Sequence, residues 1–78
     1  MAKFLVENLT AKTINVGIEP WADVVVLKPD AQAEFDYDEP AEIAFSLLDD
    51  GPCVSIMSDR IRVSANGSEK TFHPPKDW

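Results

Sequence analysis

Apolar and polar residues alternate along most of this chain, and a period of two is the mark of strands with one buried face. Thr13 to Glu19 puts Ile14, Val16 and Ile18 on one side and Thr13, Asn15, Gly17 and Glu19 on the other. Glu42 to Leu47 sets Ile43, Phe45 and Leu47 against Glu42, Ala44 and Ser46, and Arg60 to Ser64 turns Ile61 and Val63 inward with Arg60 and Arg62 facing out. Gln32 to Tyr37 alternates Ala33, Phe35 and Tyr37 with Gln32, Glu34 and Asp36, while Lys3 to Glu7, Cys53 to Ser58 and Glu69 to His73 read as less regular strands. Val24 to Leu27 is an unbroken apolar run, as expected of a central strand covered on both faces. Helical spacing is nearly absent.

The punctuation between these runs is specific. Asn66-Gly67 is the preferred pair for a tight hairpin, because both central residues of that turn need positive φ. Asp49-Asp50-Gly51-Pro52, Pro29-Asp30 and Asp38-Glu39-Pro40 mark three further reversals. Short strands between regularly spaced turns predict an all-β fold, a small antiparallel β-sandwich or partly closed barrel of about 7–8 strands with little or no helix. Up-and-down neighbour pairing is the simplest topology. Residues 1–73 form the expected single domain, and 74–78 an extended C-terminal tail, because Pro74 and Pro75 cannot donate to a ladder.

With 78 residues the chain sits near the lower limit for a self-sufficient core, which makes self-association a natural route to further burial. Its 14 acidic and 7 basic side chains give a net charge of −7. Nucleic acids and anionic membranes are bound by clustered Lys and Arg, so no nucleic acid and no membrane is expected as a partner, whereas a basic protein is. A lone Cys53 cannot form an internal disulfide and reads as a buried thiol in a reducing compartment. Met1 to Val6 lacks a signal-peptide core, and no apolar stretch has the length to span a bilayer, so the expected location is cytoplasmic. The triplets Asn8-Leu9-Thr10 and Asn66-Gly67-Ser68 then read as turn chemistry rather than glycosylation sites.

Catalytic patterns are missing. His73 is the single histidine and lies far along the chain from Cys53, and Gly17, Gly51 and Gly67 are too scattered for a phosphate-cradling loop. One Cys and one His cannot close a structural zinc site. No cofactor, metal or enzymatic activity is expected. What remains is an acidic band, Glu34, Asp36, Tyr37, Asp38, Glu39 and Glu42, as a candidate interaction surface, with Tyr37 as its anchor. By elimination the leading function is a non-enzymatic protein–protein interaction module that uses a sheet face or an edge strand. The alternatives are a small-ligand or cation-binding domain, since clustered carboxylates suit hard cations, and a nucleic-acid-mimicking inhibitor of a basic protein. Trp21, beside Pro20 at a strand-to-strand corner, reads as a large apolar contribution to the core.

Asn8-Leu9-Thr10, Ile18-Glu19-Pro20-Trp21 and Leu27-Lys28-Pro29, followed by acidic strands and a late Gly-containing hairpin, resemble a group of small uncharacterised bacterial proteins of about this length. The likeness covers most of residues 8–70, and Glu-Pro-Trp is its distinctive piece. Members often carry Gly after the Trp and after the Pro, where this chain has Ala22 and Asp30. The resemblance implies a small bacterial β-domain and carries no activity with it.

Overall fold

The computed structural model describes residues 2–73, so the expected tail over 74–78, with Trp78, lies outside the described residues. Among the described residues eight strands run in order: β1 (Ala2–Glu7), β2 (Ile14–Glu19), β3 (Asp23–Leu27), β4 (Gln32–Tyr37), β5 (Glu42–Leu48), β6 (Gly51–Met57), β7 (Ile61–Ala65) and β8 (Ser68–Phe72). The all-β expectation holds, and every predicted strand is present within a residue or two of its expected bounds. Two four-stranded sheets form, β1-β4-β7-β8 (sheet A) and β3-β2-β6-β5 (sheet B). No ladder joins them, so the barrel remains open and the architecture is that of a small sandwich.

The topology is less simple than neighbour pairing. Only β2–β3, β5–β6 and β7–β8 are hairpins; the chain otherwise changes sheets, so that β1 pairs with β4, β4 with β7, and β2 with β6. The β2–β6 pair is parallel, through Gly17↔Cys53, Ile18↔Val54 and Glu19↔Ser55, and among the described residues is the one departure from an antiparallel arrangement. Repeated crossing places strands that are close in sequence over each other, which lets one-sided apolar patterns from both sheets meet in a shared interior.

Val16, Ile18, Leu27, Ala33, Phe35, Val54, Ile56, Ile61, Val63 and Phe72 form that interior. Val16, Ile18, Ala33, Phe35, Ile61 and Val63 among them are inward positions that alternation assigned on β2, β4 and β7. Each large one contributes roughly 1.5–3 kcal/mol by leaving water. Two assignments are corrected. β3 is an edge strand, not a central one, and Val24 and Val26 stay half-exposed because nothing described packs on the outer side of sheet B. On β5 the alternation is real, but Phe45 and Leu47 are 65% and 90% exposed. β5 is the other edge of sheet B, where Phe45 meets only the edge of the Phe4 ring from sheet A and keeps most of its surface in water.

The two open seams are closed by side chains. Between β3 and β8, Asn66 Nδ2 donates to the Val26 carbonyl at 2.7 Å, and the Lys70 ammonium pairs with the Asp23 carboxylate. Trp21 packs its ring 4.9 Å from Phe72, which places it half-buried at the corner. Between β1 and β5 the link is aromatic: Phe4 stacks on Phe35 at 4.8 Å and meets Phe45 edge-on at 5.4 Å.

Turn chemistry follows the sequence closely. Asn66 and Gly67 adopt φ of 54° and 75°, as a type I′ hairpin demands. Asp30 at 67° and Ala22 at 54° are also left-handed. Asn8 is buried and saturated: its Nδ2 donates to the carbonyls of Lys12 and Leu27, and its Oδ1 accepts from the Thr10 amide and hydroxyl. Its backbone amide donates to Ala31 while its carbonyl accepts from Asp30. One side chain thus ties the end of β1 to the end of β3 and to the following turn.

Candidate functional site

The six residues of the acidic band do not share a face. Glu34 and Asp36 project from the outer side of β4, whereas Tyr37 lies on the opposite, inward side and packs on the core, its ring 5.9 Å from Phe4. Strand alternation decides this, since neighbouring residues must point to opposite faces. Nor are the carboxylates bare. Lys3 Nζ lies 3.1 Å from Glu34, Arg62 Nη2 3.3 Å from Asp36, and Arg60 Nη2 3.4 Å from Asp38, while Arg62 also reaches Glu69 at 3.5 Å. The register places Lys3, Asp36, Arg62 and Thr71 in one row across sheet A, so its outer face is a ladder of alternating charge. Such exposed pairs contribute little stability individually, but they neutralise much of the field that a basic partner or a phosphate mimic would use. Glu39 is exposed in the connection to β5, and Glu42 opens β5 itself.

The remaining chemistry-bearing groups stand apart. Cys53 is buried in mid-sheet on β6, and a Cβ built on the facing Gly17 would lie 3.6 Å from its Sγ. His73 is exposed just beyond β8 and accepts the Trp21 indole N–H at its backbone carbonyl. Among the described residues no group of three or more His, Cys, Asp or Glu side chains is placed to hold a metal ion, and no helix is long and apolar enough to cross a membrane. A cleft of about 300 Å³ opens between β3 and β8, lined by Ile18, Val25, Val63 and Phe72 with Asp23 and Lys70 at its rim. The Lys70 hydrogen bond and the Val24 amide together hold the Asp23 carboxyl below its ordinary value of 3.8. That ion pair and the Asn66–Val26 bond span the two strand edges, so both serve the seam.

The feature with the clearest binding character is β5. It is a seven-residue edge strand in which every residue but Ile43 is exposed, including Phe45, Leu47 and Leu48. Edge strands are usually blunted by Lys, by Pro, by bulges or by a covering element, because their free N–H and C=O groups template further pairing. The other edges follow that rule: β1 carries Lys3 and Glu7, β8 carries Glu69 and Lys70, and β3 is bridged by Asn66. Along β5 no charge lies between Glu42 and Asp49. Alternation alone assigned Phe45 and Leu47 to the interior. The signal against it is Leu47-Leu48 in succession, since two adjacent strand residues cannot both face one core.

The outer side of sheet B continues this apolar surface. Ser46, Cys53, Gly17 and Val24 align in one row across it, with the pairs Leu48–Gly51 and Asn15–Val26 beside that row. Its small and aliphatic side chains contrast with the charged ladder on sheet A. No protein-family model, curated protein or solved structure matches this chain.

Proposed function

We propose that this chain is a non-enzymatic protein-binding module that offers the free edge of β5 to a partner strand. The observation that carries the reading is an unblunted edge whose Phe45, Leu47 and Leu48 are 65%, 90% and 59% exposed, in a sandwich whose other three edges are charged or bridged. Strand addition explains both halves of this surface: free backbone groups supply affinity, and alternating apolar side chains supply selectivity. The acidic residues contribute at the margins, where Glu42 and Asp49 frame the apolar stretch and set its register.

A photoreactive amino acid in place of Leu47, activated in living cells of the source organism, tests this. Covalent adducts to a polypeptide are expected from position 47 and not from Ser64, which lies on the charged ladder. Absence of any adduct from position 47 would refute the reading.

A further inference from the structure

We infer that the partner of β5 is a second copy of β5, paired antiparallel about a two-fold axis at Phe45, so that two B sheets fuse into one eight-stranded sheet. This rests on the edge-binding reading above and adds the identity of the partner. Side chains keep to their own face of a continuous sheet only if paired positions have the same parity, and a two-fold axis normal to the sheet through Phe45 satisfies that. Ile43 then opposes Leu47 of the second copy, Ala44 opposes Ser46, and Glu42 opposes Leu48.

Charge and coverage together select this register over its neighbours. In a chain of net charge −7, self-association must keep acids apart. With the axis at Phe45, Asp49 meets Ala41 and no carboxylate lies opposite another. Moving the axis to Ser46 would set Glu42 against Asp50 and Ile43 against Asp49. Moving it to Ala44 would leave Leu47 facing Ala41 and Leu48 facing Pro40, with the apolar strip uncovered. Parallel pairing in register would put Glu42 beside Glu42 and Asp49 beside Asp49.

Packing favours the same solution. The Phe35–Phe4–Phe45 ring series ends at an exposed Phe45, and a second Phe45 across the axis continues it. Leu47, bare in one copy, gains Ile43 of the other as its cover. Phe45 and Leu47 share one face of the strand and are its most exposed apolar side chains, so a paired copy has apolar surface to cover there.

Sedimentation equilibrium of the full chain from low micromolar to millimolar concentration should show the mass rising from 8.7 kDa towards twice that value. Leu47→Lys should hold it at the monomer mass with an unchanged melting curve. Ala44→Cys mixed with Ser46→Cys, both in a Cys53→Ala background, should yield the mixed disulfide dimer on oxidation, and neither variant alone should crosslink to itself. A monomer mass at every concentration, or crosslinking that ignores this pairing, would overturn the proposal. Adducts from position 47 that contain only other polypeptides would overturn the dimer while leaving edge binding intact; no adducts at all would remove both.

Discussion

Trp21 donates its indole N–H to the backbone carbonyl of His73 at 2.9 Å, across 52 residues of sequence, while its ring lies 4.9 Å from that of Phe72. The contact fastens the β2–β3 corner of one sheet to the last strand of the other. Trp21→Ala is therefore expected to lower the unfolding free energy by about 3 kcal/mol, the low end for truncating a large aromatic because the ring is half-exposed. Trp21→Phe keeps most of the ring contact and loses the hydrogen bond, for about 1 kcal/mol. Urea denaturation followed by far-ultraviolet circular dichroism measures both, and equal losses in the two variants would show that the ring contributes nothing.

Ala22, next to that tryptophan, holds φ at 54°, a left-handed conformation that costs a residue with a Cβ roughly 1–2 kcal/mol. Ala22→Gly relieves the strain and also loosens the unfolded chain, so a net gain of about 0.5–1 kcal/mol is expected. Ala22→Val adds β-branching at the same φ and should destabilise. A midpoint in urea that falls for Ala22→Gly would contradict the assigned backbone geometry.

Asn8→Ala strips two donations and two acceptances from a buried site at once, leaving the carbonyls of Lys12 and Leu27 without this donor. A loss of about 2–4 kcal/mol is expected, more than a surface turn residue would cost. Amide exchange should accelerate first at Thr10, Asp30 and Ala31, around the broken hub.

The Asp23 carboxyl is held below 3.8 in the folded state by Lys70 and the Val24 amide. The unfolded chain, with the higher value, takes up its proton first as pH falls. The pair's contribution is therefore complete above the unfolded value and disappears as pH drops through the folded one. Asp23→Asn should lie below the parent in stability by a constant margin above about pH 5, and that margin should shrink below 3.8. Because Lys70 is largely exposed, added salt should reduce the margin as well. Paired urea titrations across pH check both statements.

The strands were legible because their cause is local. Ile14, Val16 and Ile18, or Ala33, Phe35 and Tyr37, declare a buried face through a period of two, and Asn66-Gly67 declares its turn through the φ values it alone tolerates cheaply. The candidate site was not legible in the same way. Glu34, Asp36 and Tyr37 are neighbours in sequence, yet alternation sends the tyrosine inward, and the cations that neutralise the acids come from β1, β7 and the turn before it.

What the sequence determined by itself is therefore an all-β chain of about 7–8 strands, its turns, and which residues share a face on β2, β4, β5 and β7. Only the tertiary structure decided which strands lie at edges: nothing in Val24 to Leu27 says that β3 ends a sheet, and nothing in Glu42 to Leu48 says that β5 does, apart from one doubled leucine. The reason is that alternation reports the presence of a covered face but not the identity of the neighbours. Coverage depends on strand order, which arises from contacts between residues far apart in the chain. Leu47 and Ile56 carry similar side chains on inward-facing positions, and one is 90% exposed while the other is wholly buried, because sheet A extends over β6 and stops short of the far end of β5.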